Sequence, residues 1–304
     1  MRLRELAALV LLAAIWGSSY LFIRVAVEPL GPVLVAFLRV VIGGAGLVLW
    51  AVATGQKESL VRPDRRFLFL GLMNAAIPYG LIAFAELHIT ASLAAILNAT
   101  TPLFTAAVAA TWAGERLSTG TWLGGLLGLG GVAVLVGWHS ATIDAAFALA
   151  VVAMLGASLA YGLASVYAKQ RLRGMSSLGA AAGQQMGAIL VLAPFGLVSG
   201  VEKSGSISLG PGVTVAVLGL GLLCTSVAYL LYFHLISTTG AVRTSSVTFL
   251  IPVFGMLWSV LFLGEAVPPG ALVGLLMILG GVGIVSGNVV RTWLGRLRPI
   301  RSTA

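Results

Sequence analysis

The stretch from Pro102 to Gly137 returns 150 residues later as Pro252 to Gly287, with twelve identities in thirty-six positions. Pro102 matches Pro252, Phe104 matches Phe254, and Gly114-Glu115 matches Gly264-Glu265. Gly120, Gly124, Leu126, Leu129, Gly130, Gly131, Val132 and Gly137 also have identical partners. Both copies lie in nearly unbroken apolar sequence. A repeat of this kind predicts a membrane protein of two similar halves, and transported solutes bind where such halves meet.

Composition points the same way. Hydrophobic residues form 59% of the 304-residue chain and charged residues 9%. Mean hydropathy is +1.05. Soluble domains carry about a quarter charged residues, so lipid must be the solvent here. The net charge of +9 lies in short loops and at the chain ends, which signals membrane orientation rather than nucleic acid. Cys224 is the single cysteine, so neither an internal disulfide nor a cysteine metal site is expected.

A span needs about 20 predominantly apolar residues. The sequence predicts ten, near 5–27, 32–52, 67–88, 91–112, 119–138, 144–169, 177–199, 211–235, 241–263 and 269–290. The first is expected to belong to the mature fold rather than to a cleaved leader, because it continues through Trp16 to Val27 and has an internal counterpart. Trp16-Gly17 aligns with Tyr161-Gly162, and Thr54-Gly55 with Ser199-Gly200, at an offset of 145. The change of offset places five extra residues near Glu202–Gly210. The halves are 1–140 and 141–304. With the N-terminus inside, fifteen cations lie on the inner side, Lys57, Arg116, Lys169 and Arg243 among them. Lys203, Arg24 and Arg39 are the three on the outer side. Both ends are then cytoplasmic. Five helices per half is an odd number, so the second half enters the membrane in the opposite sense, an inverted 5+5 repeat.

Trp16-Gly17-Ser18-Ser19-Tyr20, the Pro32-to-Arg39 spacing and both Pro…Gly-Glu…Gly…Gly-Gly-Val copies resemble EamA-type proteins of the drug/metabolite transporter superfamily. More narrowly, the chain resembles YddG-type exporters of aromatic and other amino acids. The resemblance implies a basket of ten helices around a central cavity lined mainly by helices 1, 3, 4, 6, 8 and 9, with helices 5 and 10 peripheral. It also implies export; the sequence itself shows no direction.

Several residues stand out against that frame. Glu115 and Glu265 follow Gly114 and Gly264 at tight turns, where a carboxylate suits exposed helix N–H groups; a proton-coupling acid is the functional alternative. Pro102 and Pro252 should interrupt matched helices near mid-membrane, each freeing a carbonyl. One turn earlier, Asn98 and Thr248 are expected to face the bundle or the cavity. Trp16 with Tyr161, and Tyr79 with Tyr229, are matched aromatic pairs, and Tyr20 joins them. Trp16 and Tyr79 fall too deep for an interfacial belt, so they suit an aromatic cavity. Trp122, Trp138, Trp258 and Trp293 read as belt or packing residues.

Arg39 lies about 10 Å into its helix, and a charge there needs a partner. Glu86 or Glu28 would serve, making Arg39 a structural tie; otherwise Arg39 attracts a substrate carboxylate. Its repeat mate is Gln184. Asn74 and Gln185 are further cavity candidates. His88, His139 and His234 lack metal-ligand spacing, and no cofactor is implied. Hydrolase, zinc-protease and phosphate-loop motifs are missing from the sequence, so no catalytic residue is assigned. The expected activity is export of neutral amino acids or similar metabolites by alternating access, with membrane lipid and solute as the only partners evident. A multidrug exporter of the same fold is the nearest alternative, and a passive channel or lipid scramblase the one from another class.

Overall fold

The computed structural model describes residues 3–56, 64–115, 117–138, 144–172, 174–203, 210–240 and 244–296. Lys57, Arg62, Arg116, His139, Arg173, Arg243 and residues 204–209 of the loop assigned the extra five lie outside that set. Ten helical spans follow one another. They are α1 (Leu3–Leu30), α2 (Pro32–Ala53), α3 (Arg65–Ala85), α4 (Ala91–Trp112), α5 (Thr119–Gly137), α6 (Ala145–Arg171), α7 (Ser177–Lys203), α8 (Pro211–Thr239), α9 (Val247–Leu263) and α10 (Pro269–Arg296). The first eight are long and apolar enough to cross a bilayer, and α9 and the apolar part of α10 are shorter.

Short polar side chains start several of these helices. Asp64 accepts from the Arg66 N–H, Thr90 from Leu93, Ser118 from Thr121 and Asp144 from Phe147. Each supplies an acceptor that the first helical turn lacks. Gly31 alone separates α1 from α2; its φ of 78° is a left-handed conformation that Pro32 and the helices around it could not adopt.

Three spans are irregular inside the bundle. α4 breaks at Ala99–Thr100, two residues before Pro102. Pro102 cannot donate to the Asn98 carbonyl four residues back, and the Thr101 hydroxyl takes over that carbonyl at 2.8 Å. α9 differs from the expectation: Val247–Leu263 is continuous through Pro252, and the turn falls at Ser245–Ser246 instead. Pro252 therefore sits inside an unbroken helix. α3 and α8 each contain a π-helical segment, Leu72–Ala76 and Gly219–Val227. At the 150-residue offset the first maps onto Leu222–Ser226, inside the second. Both halves thus widen their helix at the same place.

The halves interlock rather than sit side by side. A Cβ on Gly17 of α1 would meet Phe254 and Gly255 of α9, and one on Gly162 of α6 would meet Phe104 and Thr105 of α4. Those two contacts are repeat mates. α5 and α10 pack glycine on glycine: a Cβ on Gly124 would lie 2.6 Å from the Gly281 carbonyl, and one on Gly131 2.8 Å from that of Gly274. Rising numbers on α5 meet falling numbers on α10, so these mates run antiparallel and the repeat is inverted. Where backbones approach this closely only hydrogen fits, and small residues allow dispersion contacts that lipid cannot replace.

Gly131→Val should lower the thermal unfolding midpoint in detergent, with overpacking costing about 1–3 kcal/mol. Gly125→Ala, where a Cβ would meet nothing within 4 Å, should unfold at the wild-type temperature or slightly above it. Equal behaviour of the two variants would contradict the packing described.

Candidate functional site

The two π segments fix what the centre of the bundle presents. A π turn shifts the following side chains around the helix axis and leaves backbone groups to be satisfied locally, and such turns concentrate at functional positions. In α8 the Thr225 hydroxyl donates to the Leu220 carbonyl at 2.9 Å, and the Ser226 hydroxyl to the Gly43 carbonyl of α2, also at 2.9 Å. Tyr79 and Tyr229 follow three residues after the matched segments. Both reach the centre.

Two polar strings converge there, one ending on each tyrosine. Asn74 of α3 donates to the Gln184 side-chain oxygen of α7 at 2.8 Å, and Gln184 donates in turn to the Tyr229 hydroxyl of α8 at 2.8 Å. The Arg39 guanidinium lies 3.9 Å from the centroid of the Tyr79 ring. Its Nε donates to the Thr225 hydroxyl at 3.3 Å. Cation–π attraction grows when water is excluded, and Arg39 and Tyr79 are both buried. Trp16 of α1 closes one side, meeting Tyr229 edge-on at 6.5 Å and Tyr232 at 5.3 Å. Tyr161 packs partly buried against the cluster that holds Tyr79.

Arg39 and Gln184 are repeat mates and bracket the membrane centre. Arg39 lies seven residues into α2 and Gln184 seven into α7, about 10 Å from opposite ends of the bundle. One is charged and the other neutral, so the pseudo-twofold positions are chemically unequal. The result is a half-buried, aromatic-walled site with one cation, two amides and phenol hydroxyls.

Other sequence candidates lie elsewhere. Tyr20 and Asn98 form a second, neighbouring group near Glu86, and the Asn98 side-chain oxygen is buried without a hydrogen-bond partner. Thr248 bonds the Ser245 carbonyl of its own turn at 2.8 Å and joins neither group. The expected tie of Arg39 to Glu86 or Glu28 gives way to Thr225 and Tyr79. Arg24 takes both of those positions instead, donating to the Glu86 carbonyl and lying 3.7 Å from Glu28. Neither turn glutamate caps the helix that follows it. Glu115 pairs with Lys169 at 3.0 Å. Glu265 reaches across to the start of α4, accepting from the Ala91 N–H at 2.8 Å and from the Ser92 N–H and hydroxyl at 2.9 and 2.7 Å. Gly114 and Gly264 do adopt the left-handed turn, both with φ 66°.

Sequence reasoning passed over Thr225 and Ser226. Their signal is the run Cys224-Thr225-Ser226 in an otherwise apolar span, matched to Asn74-Ala75-Ala76. It also left helices α2 and α7 off the expected lining, although they supply Arg39 and Gln184. Gln185, a weaker candidate, is wholly buried with its amide unpaired. Among the described residues no cluster of three His, Cys, Asp or Glu side chains is placed to hold a metal ion.

The Arg39–Thr225 bond is open to a double-mutant cycle. Arg39→Gln and Thr225→Val should be non-additive in thermal unfolding by at least 0.5 kcal/mol, the threshold at which contacting residues separate from independent ones. Additive losses would mean that Arg39 is held by Tyr79 alone.

Comparison with known proteins follows this architecture. The model of the EamA-like transporter family matches twice, over residues 3–137 and 148–287. "Uncharacterized transporter YvbV" of Bacillus subtilis is 27% identical, over 93% of this chain and 92% of its own length. "Probable terminal-alkyne amino-acid exporter" of Streptantibioticus cattleyicolor is 25% identical, over 96% and 95%. "Uncharacterized inner membrane transporter YedA" of Escherichia coli is 28% identical, over 84% and 83%. A solved crystal structure superposes with a TM-score of 0.66 at 20% identity, over 96% of this chain and 99% of its own, a likeness of fold. The two family matches fall on the two halves that interlock around the site, and the chain belongs to the EamA-like transporter family.

Proposed function

We propose that this transporter exports neutral amino acids, aromatic ones included, by alternating access across the inner membrane. The observation that carries the reading is the Arg39–Tyr79 pair inside a site walled by Trp16, Tyr161 and Tyr229. Thr225 takes one of the five guanidinium donors. The remainder suit a carboxylate. The Gln184 and Asn74 amides offer oxygen acceptors to an ammonium group, and the aromatic walls suit an apolar side chain. A multidrug exporter would have less use for a buried fixed cation. The similarity to a protein named as an amino-acid exporter supports the same choice.

In this reading the halves, 1–140 and 141–304, rock about the pseudo-twofold axis and expose the site to each side in turn. The bias of basic residues supports an orientation with both chain ends and Glu115 in the cytoplasm and Glu265 outside. A cysteine beside Glu115 should then react with an impermeant reagent only from the cytoplasmic face, and one beside Glu265 only from the outer face. Labelling of both from one face would refute the orientation.

Solute counterflow in proteoliposomes tests the function. Saturable phenylalanine uptake accelerated by internal phenylalanine is expected; unsaturable flux would indicate a channel. Trp16→Ala and Tyr79→Ala should raise the half-saturating concentration for phenylalanine about two- to tenfold, and for threonine less, because an aromatic pair is worth about 0.5–1.5 kcal/mol beyond its buried area. Trp122→Ala on α5, whose side chain is 63% exposed, should leave the preference unchanged. A control that shifts preference as far as Trp16→Ala does would remove the aromatic site.

A further inference from the structure

We propose that Glu86 is a proton-binding site in the gate at the Glu265 end of the bundle, loaded while that gate is closed and emptied to water when it opens. The proposal rests on the alternating-access reading but not on the identity of the solute. Glu86 directly follows the last residue of α3 and is 0% exposed. Both of its carboxyl oxygens are buried without a hydrogen-bond partner. An ionised carboxylate in that position would lose its water and gain nothing in return, at several kcal/mol, whereas the neutral acid avoids most of that cost.

The charged neighbours do not rescue it. On α1, Arg24 donates to the backbone carbonyl of Glu86 and its second nitrogen lies towards Glu28. Tyr20, also on α1, is a neutral phenol within electrostatic reach. On α2, the Arg39 guanidinium is turned to Thr225 and Tyr79 and no bond joins it to Glu86. On Glu86's own segment, the His88 ring packs against Phe84. From the turn between α9 and α10 comes Glu265, a second carboxylate. Glu265 is partly exposed while Glu86 is fully buried, and a neighbouring carboxylate disfavours a second charge on Glu86. Glu265 has three hydrogen-bond donors on its carboxyl oxygens and Glu86 has none. The proton belongs to Glu86.

The same contacts make Glu265 a latch. It joins the second half of the chain to the first residues of α4, and the segment Glu86–Ala91 ends on those residues. A shallow cleft lined by Thr90, Ser92, Val267, Pro268 and Ala271 lies directly beside it. Release of Ala91 and Ser92 would let water along this segment to Glu86. The carboxyl O–H bond then breaks, the proton passes to water, and the carboxylate keeps the electron pair and is hydrated. Closure reverses each step. Acid therefore favours the closed gate, and one proton changes the closed-to-open ratio by up to about tenfold per pH unit.

Infrared spectra of the protein in lipid nanodiscs at neutral pH should show the carbonyl stretch of a buried protonated carboxyl. Glu86→Gln should abolish that band, and Glu86→Asp should shift it. A wild-type spectrum without the band overturns the proposal, whether or not the variants fold. The gate is followed by maleimide labelling of Ile89→Cys in a Cys224→Ser background, since Ile89 is 5% exposed. Normalised at each pH to the exposed Leu87→Cys, which removes the thiol's own ionisation, labelling should rise with pH by up to about tenfold per unit and become low and pH-independent once Glu86→Gln is added. The same pH dependence with and without Glu86→Gln overturns the coupling. Neither readout contains a solute, so failure to exchange phenylalanine would count against the amino-acid reading alone.

Discussion

The bilayer offers no hydrogen bonds, and every departure from a regular helix must be satisfied by the protein itself. That requirement decides where this molecule can be irregular. The break in α4 is tolerated because Thr101 bonds the carbonyl that Pro102 leaves free. The π segment in α8 is tolerated because Thr225 and Ser226 return their hydroxyls to carbonyls of α8 and α2. Irregular backbone is expensive in lipid, so it collects at the centre, where neighbouring helices supply the missing partners. The polar site is therefore a consequence of the same local chemistry that keeps the broken helices stable.

Duplication builds the frame and divergence builds the site. Contacts that only position helices have kept their mates: Gly124 with Gly281 and Gly131 with Gly274, Gly17 on Phe254 and Gly162 on Phe104. Facing the centre, Tyr79 and Tyr229 have kept theirs, but other positions have not. The mate of Arg39 is the neutral Gln184, Asn74 corresponds to Cys224, and Trp16 to Tyr161. A site with full twofold symmetry would bind both ends of a solute alike. Breaking it at Arg39 gives the centre a polarity, which recognition of an amino acid's unlike ends requires.

The frame was legible because it is written in periodic and repeated terms. Span lengths, the duplicated Gly-Glu turns and the odd number of helices per half lead to an inverted ten-helix bundle without any tertiary information. The partners of Arg39 were not legible in that way. Thr225 lies 186 residues away in the sequence, and only the meeting of α2 with the π segment of α8 brings it close. Glu86 and Glu28 looked suitable on charge and depth, yet Arg24, one turn before Glu28, reaches them first. Pro252 misled for a related reason. Proline removes one donor, but whether a helix breaks there depends on the residues before it, and in α9 the turn forms at Ser245–Ser246 instead.

Glu115 and Glu265 show how an inverted repeat can hold one state at a time. Their turns have the same left-handed glycine, so the local sequence dictates the same geometry at both ends of the bundle. Their side chains do different things. Glu265 spans the two halves and satisfies the first N–H groups of α4, where the positive end of the helix favours a carboxylate. Glu115 stays at the surface with Lys169, both partly exposed, and surface pairs of this kind contribute about 0–1 kcal/mol. One end is therefore closed by charge-assisted bonds between the halves, while its mate is held by an interaction cheap to give up. An alternating carrier needs this inequality. Glu115 also joins the halves through Lys169, but were that bond as firm as those of Glu265, neither end could open without losing a strong latch and gaining nothing at the other.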